Sequence, residues 1–442
     1  MNSGRVADVT SKGLLAVFLI AAATTHAESG FRITISATNS AGVVIQWTAQ
    51  SPIPAGGLQL FPQYRLERSE DLATWEALSA ELPSSTGQVF RIIDQAQPAA
   101  KSFYRVRSAI EQPFGDLNGA QLAGGDLTGA NFYGAKLFAA NLSQAVLNHA
   151  NLSGADLRFT DLTLADLSGA DLFGVEAFSA ILDDANLQSA DASFADFGSA
   201  NLFNADLSNA DLRFSVLVGA DLRFASFSQT KLDANTLIAD KWRLVWNLVN
   251  NGVTGRVLTN ADLSFATMQN VNFNGTDLSG ADLTETDISG SDLRNANLSR
   301  ANLRWVDFRR TQVNTNTLID PKSLLTWQIL NQGETNRNLA AASLNEVSLI
   351  EADLRGSILT NANLSRSILA SANFGNANLR SANLVQAFLF QAILTNANLT
   401  GAILRIADLT QADLRGSLTN GADFSGATFN QTIMPDGSVR SN

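Results

Sequence analysis

The chain has 442 residues, 45% of them hydrophobic, no cysteine and a formal net charge of −11. That length exceeds one ordinary domain and supplies ample apolar surface for a core, which excludes a disordered tail. The acidity argues against direct binding to nucleic acid or an anionic membrane surface, and the lack of cysteine removes disulfides, thiolate metal sites and thiol nucleophiles.

In chain order, Arg5 and Lys12 precede an apolar run from Gly13 to Ala23 and then the small residues Thr24-Thr25-His26-Ala27. That succession predicts a secretory signal over 1–27, cleaved after Ala27, and an exported protein of the periplasm, cell surface or medium. No segment reaches the roughly 20 apolar residues of a spanning helix, so no transmembrane segment is expected after cleavage. From Phe31 to Arg107 apolar residues alternate, as in Phe31, Ile33 and Ile35, then Val43, Ile45 and Trp47, then Tyr64 and Leu66, then Tyr104 and Val106. Period two with turn residues between the runs predicts antiparallel strands in a small β-sandwich over 28–110. The segments QYRLERSEDLATW and FYRVR resemble fibronectin type III modules of bacterial secreted proteins, with a last strand that is short or missing before Pro113.

The rest is one repeat. Stepping by five from Leu117 to Leu232, every position is Leu or Phe except Ala177 and Ala192, and a small residue almost always stands two places before each centre. The unit reads ADLSG, ANLSG or ADLRF. These residues resemble the pentapeptide-repeat family, and the resemblance spans nearly everything after Phe114. It implies an all-β fold, a right-handed quadrilateral β-helix with one pentapeptide per side and four per coil. Period two agrees with that geometry: the centre and the small residue face inward and the Asp or Asn between them faces out. Neighbouring coils then stack into a cooperative rod whose ends need covering.

Two interruptions are copies offset by 81, NTLIADKWRLVWNLVNNG and NTLIDPKSLLTWQILNQG. Each predicts one short helix: Asp320-Pro321 supplies a cap and a first helical residue, Gly252 and Gly333 supply the stops, and Val245, Trp246 and Val249 form an apolar stripe. Trp246 and Trp327 are expected to dock the helices on the repeat. The resulting division is repeats at 115–232, a helical insertion at 233–257, repeats at 258–313, a second insertion at 314–338, repeats at 339–430 and a cap and tail at 431–442. The ending TFNQTIMPDGS resembles the terminus of family members and is expected to close the stack.

No residue set supports catalysis, a cofactor or a metal site. His149 lies two places after centre Leu147, hence outward, with no second histidine or thiol to join it. Neither a phosphate-cradling GxxxxGK[ST] nor a calcium nonapeptide occurs. Carboxylates are the abundant reactive groups: 117–232 holds thirteen acidic against five basic residues, a balance of −8. A twenty-residue coil would align Asp156, Glu176 and Asp196 in one column and Asp171, Asp191 and Asp211 in another. Phe194 and Phe214 also stand twenty apart, either as an exposed patch or, the preferred expectation, as a landing site for the inserted helices. These eight residues form the candidate interaction surface. The reading that follows is a non-catalytic exported or envelope scaffold that binds an unidentified protein. One alternative, implied by the family resemblance, is a DNA-mimicking inhibitor of a type II topoisomerase. Against it stand the export signal, the sandwich and the DLR triplets, in which acid and base share one outward face. A third is a carboxylate or aromatic surface for calcium or carbohydrate.

Overall fold

The computed structural model describes nine strands between residues 16 and 108, and residues 116–253, 255–333 and 335–441. The strands are Ala16–Leu19 (β1), Ile33–Thr38 (β2), Gly42–Thr48 (β3), Ile53–Ala55 (β4), Leu58–Leu60 (β5), Tyr64–Ser69 (β6), Glu76–Ala77 (β7), Val89–Asp94 (β8) and Lys101–Ser108 (β9). β2, β3 and β8 pair antiparallel, as do β4 with β5 and β6 with both β7 and β9, while β1 runs parallel to β9. Strands thus occupy the four alternating runs, and β8 is one that alternation did not single out. The packing of a sandwich over 28–110 and the cleavage site at Ala27 lie outside the described residues. Among these, no helix is long and apolar enough to cross a membrane.

The chain divides into two compact units, 1–239 and 240–442. In the first, residues twenty apart pair as parallel bridges, for example Asp156 with Glu176 and Glu176 with Asp196. Five residues per side and twenty per turn make four sides. We number them by their centres: side I holds Phe132 to Leu212, side II Leu137 to Leu217, side III Leu142 to Leu222 and side IV Leu147 to Phe227. Each side contributes the same hydrogen bonds. Leu157 N donates to Glu176 O of the next coil at 2.7 Å, Asp156 N to Ala135 O of the preceding one at 2.9 Å, and Ala155 N closes the corner onto Leu152 O at 2.9 Å. The other two donors, Arg158 N to Asp156 Oδ1 at 3.2 Å and Phe159 N to Phe178 O at 3.2 Å, complete the side, so all five of its backbone N–H groups are satisfied although no long strand exists.

The centre leucines fill the interior at zero to one per cent exposure from Leu127 to Leu222, and the alanines two before them close the corners. Burial of one such Leu contributes about 2 kcal/mol. Where a hydroxyl replaces Ala it is satisfied: Thr160 Oγ1 donates to Leu137 O at 2.7 Å. At each corner the second turn residue sits in the left-handed region, where Gly, Asn or Ser is cheap and a ring is not.

The first segment runs farther than the expected boundary at 232. After Leu232 the corner has three residues rather than two, and the side still pairs, Val216 with Leu237. Asp233 makes the wider corner by accepting from Asn235 N at 3.0 Å and Thr236 N at 2.8 Å. The second copy repeats this after Val313: Asn314 accepts from Asn316 N at 3.1 Å, and Leu318 pairs with Asn297.

In the second unit, helix α1 (Asp240–Asn251) and helix α2 (Pro321–Asn331) are the two insertions. Gly252 and Gly333 follow them with φ of 75° and 61°. Asp320 caps α2 by accepting from Lys322 N and Ser323 N, as expected. The apolar stripe differs from expectation. α1 buries Trp242, Val245 and Leu248, α2 buries the matching Ser323, Thr326 and Ile329, and Trp246 and Val249 are only half-buried. The repeat resumes at Val253, which is buried, ahead of the expected 258. α2 joins the second and third segments. Trp327 Nε1 donates to Thr311 O at 3.0 Å and Asn331 Nδ2 to Phe308 O at 2.9 Å on one side of it. On the other, Lys322 Nζ reaches Asn345 O at 3.1 Å and Arg337 donates to Gln328 O at 3.0 Å. Stacking crosses the insertion directly too, from Trp305 N to Glu346 O at 3.1 Å, with Arg304–Glu346 and Arg309–Glu351 ion pairs beside it.

The third segment pairs from Asn338 to Ile433. Its end is closed by a hairpin of Thr432–Ile433 (β10) with Val439–Arg440 (β11). The Arg440 guanidinium lies 3.9 Å from the ring centre of buried Phe429. The hairpin thus covers one side of the last coil and shortens the edge open to pairing there.

Candidate interaction surface

The outward columns form where the twenty-residue period puts them. Asp156, Glu176 and Asp196 stack on side II between Lys136 and Val216, and Asp171, Asp191 and Asp211 stack on side I between Asn151 and Lys231. Neither column is a plain stripe of negative charge. Arg158 binds Asp156 through Nε at 2.8 Å and Nη2 at 2.7 Å and reaches Glu176 at 3.5 Å. Arg213 grips Asp211 in the same way, with Lys231 at 3.8 Å. These arginines hold the Asp156 and Asp211 carboxyls below their ordinary range, chiefly by side-chain hydrogen bonding and against a smaller cost of burial.

Sorting the charges of 117–232 by side places most of the surplus outside these two columns. Side I sets Arg213 and Lys231 against three acids, and side II sets Lys136 and Arg158 against three, so each nets −1. Side III sets Arg223 against Asp161, Asp183, Asp184 and Asp221, and side IV sets nothing against Asp126, Asp166 and Asp206, so each nets −3. Asp116 on side II and Asp233 in the corner after side I take those two sides to −2 each over 116–237, so the first segment is more acidic on sides III and IV than on sides I and II.

The less acidic pair carries six of the eight outward phenylalanines; the other two, Phe203 and Phe224, stand on side III with ring centres 5.3 Å apart. At the corner between sides I and II, Phe173, Phe194 and Phe214 form a ladder with ring centres 5.2 and 4.6 Å apart, the upper two 3° from parallel. At the far corner of side II, Phe138, Phe159 and Phe178 form a second ladder at 5.5 and 6.3 Å. Phe194 and Phe214 are 53% and 43% exposed, which overturns the expectation that an inserted helix lands on them. Trp305, in the second segment, donates from Nε1 to Arg366 O at 2.6 Å in the third. Gly198 makes room for the second ladder, since a Cβ there would stand 3.0 Å from Phe178 Cδ2.

The sequence reading missed Phe138, Phe159, Phe173 and Phe178. Their spacing carried the signal: each ladder mixes first and second corner positions, so its members stand 21 or 19 apart as well as 20. His149 is exposed, as expected. Among the described residues no group of three or more His, Asp or Glu is placed to hold a metal ion.

A family model described as pentapeptide repeats (8 copies) matches residues 116–145, 140–175, 180–213, 200–234, 257–295, 276–312, 338–370, 372–410 and 407–436, more than half of the chain. Among solved structures, similarity is found to HetL of Nostoc sp., a pentapeptide repeat protein involved in heterocyst differentiation regulation. It is 24% identical over 74% of this chain and 94% of that one, with a TM-score of 0.21. A pentapeptide repeat protein of the Arabidopsis thaliana thylakoid lumen is 26% identical over 30% of this chain and 79% of its own, with a TM-score of 0.20. Full-length QnrB1, a plasmid-mediated fluoroquinolone resistance protein, is 16% identical over 70% of this chain and 90% of its own, with a TM-score of 0.12. No curated protein matches the chain.

Proposed function

From the premise that the chain belongs to the pentapeptide-repeat family, whose members are generally non-enzymatic structural or interaction proteins, we propose that it is an exported, non-catalytic scaffold that binds a protein partner through sides I and II of its first segment. One observation carries this reading. Six of the eight outward phenylalanines gather on two adjacent sides, which over 117–232 net −1 each against −3 each on the other two. Export rests on the leader over 1–27, and a fibronectin type III-like module over 28–110 would suit a second contact; both are read from sequence.

Fractionation with N-terminal sequencing tests the compartment: the mature chain is expected to begin at Glu28 outside the cytoplasm. A cytoplasmic chain with residues 1–27 intact would remove the envelope role. Crosslinking in envelope extract then tests the surface, with partner recovery expected to fall in Phe159→Asn/Phe194→Asn. Equal recovery would place binding elsewhere. Sides III and IV favour one second reading, topoisomerase inhibition by DNA mimicry, since their net −3 each is the charge such a mimic needs. A gyrase supercoiling assay with Asp126→Asn/Asp166→Asn/Asp206→Asn tests it: inhibition by the parent chain that this variant loses would favour mimicry over the scaffold.

A further inference from the structure

One neighbour of β9 comes from the leader, the segment that export is expected to remove. The sheet has the order β1-β9-β6-β7, and β1 lies within 1–27. It runs parallel to β9, with Ala16, Val17, Phe18 and Leu19 level with Lys101, Ser102, Phe103 and Tyr104. On its other edge β9 pairs with β6, where Leu66 stands opposite Val106 and Tyr64 opposite Ser108. Partners in register share a face, so Val17 and Leu19 extend the face that holds Tyr64, Leu66, Tyr104 and Val106. Cleavage after Ala27 takes β1 away and opens the edge of β9, an eight-residue strand, along 101–104.

The chain after β9 holds little to replace it. Seven residues, 109–115, separate β9 from Asp116 at the start of the first coil. A two-residue turn would leave about five for an antiparallel strand, and Pro113 among them has no N–H to donate. A second copy fits no better. A two-fold pairing of two β9 edges sets residues of like parity opposite one another. Centred on residue 103, 104, 105 or 106, it opposes Lys101 to Arg105, Lys101 to Arg107, Arg105 to itself or Arg105 to Arg107. Like charges so placed repel, so these cations guard the edge against its own copies. They favour an acidic neighbour instead. Arg107 stands opposite Arg65 in β6, and its other lateral place is on the edge that β1 takes.

We propose that leader cleavage opens the β9 edge to strand addition by another protein: an extended segment runs parallel to β9, sets apolar residues level with Ser102, Tyr104 and Val106, and brings Asp or Glu level with Arg107. Main-chain hydrogen bonds give such a contact its strength and alternate side chains its selectivity. Before export the leader holds the place, with the advantage of belonging to the same chain. The proposal rests on the export reading above and adds a second contact to the one on sides I and II.

The test compares the purified full chain with the chain that begins at Glu28, using the labelled peptide Ala-Val-Phe-Leu-Glu-Val-Glu. This probe copies β1 and continues with acids level with Arg105 and Arg107. The chain from Glu28 is expected to bind it at least tenfold more tightly than the full chain. Successive N–H groups of a strand point to opposite edges, so N-methylation of one alternate set in the peptide should abolish binding and of the other set should leave it. Arg107→Glu, which gives Arg65 an opposite charge across the sheet, should turn the preference at the last peptide position from Glu to Lys. Equal binding by the two chains, loss with both methylated sets or with neither, or indifference to Arg107→Glu at an unchanged melting curve would each overturn the proposal. So would a chain from Glu28 that associates with itself and refuses the peptide. The two readings fail separately: a leader kept intact in the cell would end the export reading, whereas a refused peptide with a cellular chain that starts at Glu28 would end this proposal alone.

Discussion

Centre and corner residues of a pentapeptide answer to different constraints, and substitution should separate them. Leu379 is fully buried between coils of the third segment, so Leu379→Ala removes its transfer energy and leaves a cavity, a loss of about 2–5 kcal/mol in denaturant unfolding. Phe194→Gly at the exposed corner relieves a left-handed backbone worth ~1 kcal/mol and forfeits stacking worth ~1 kcal/mol, so stability should stay within about 1 kcal/mol. A large loss there would mean that the ring belongs to the fold. The DLR pairs add a pH signature. The Arg294 side chain, opposed in lesser part by burial, holds Asp292 down to about 2, whereas an unfolded Asp titrates near ~3.9. A carboxyl depressed in the folded state contributes stability that is complete above ~pH 4 and disappears as the pH falls toward 2. Thermal melts of the parent and Arg294→Gln should accordingly differ at pH 7 and converge between pH 4 and pH 2. A difference that persists at pH 2 would assign the effect to packing of the Arg stem.

The helices show how an element legible in sequence can still turn an unforeseen face. Caps, stops and the offset of 81 placed α1 and α2 to within a few residues, because these signals are local. The buried face is not local. Trp246 and Val249 read as a stripe with Val245, yet the helix turns Trp242, Val245 and Leu248 inward, and α2 turns Ser323, Thr326 and Ile329. Where the chain enters and leaves the helix fixes its rotation, and that depends on the three-residue corners at 233–235 and 314–316. A smaller signal was available: the copies share Thr-Leu-Ile at 236–238 and 317–319, in which the small residue and the centre stand one place later than the five-residue phase sets them. Since so little of α2's buried face is apolar, its attachment leans on polar contacts. Asp320→Ala should cost about 1 kcal/mol through the lost cap. Trp327→Phe, which keeps the ring and loses the bond to Thr311 O, should cost ~1 kcal/mol, reduced further if water reaches the carbonyl. Both should appear as faster hydrogen exchange across 321–331, with the coils on either side protected.

At the scale of the molecule two periods are superposed, five for the inside and twenty for the outside. The period of five is written in every pentapeptide, which is why the core could be read almost residue by residue from Leu117 onward. The outside needs the coil length as well, and then the charge of a whole side. With single columns in view, Asp156 and Asp211 looked like the acidic surface, although their arginines make sides I and II the quieter pair. The separation of periods predicts how the first segment tolerates deletion. Removing Ala185-Asn186-Leu187-Gln188-Ser189 takes out one side, so every later centre stays inward and the parallel pairing can re-form. The chain should still unfold cooperatively, with a modest drop in Tm. Every later column, however, moves back by one side, which carries Phe194 and Phe214 from the corner of side I to that of side IV and away from Phe173. Removing only Leu187-Gln188-Ser189 breaks the inward phase and should abolish cooperative unfolding of the segment. If the five-residue deletion kept full recovery of the crosslinked envelope partner, the stacking of Phe194 and Phe214 on Phe173 would be irrelevant to binding. If it unfolded as badly as the three-residue deletion, contacts specific to one side, and not the repeat itself, would hold the segment together.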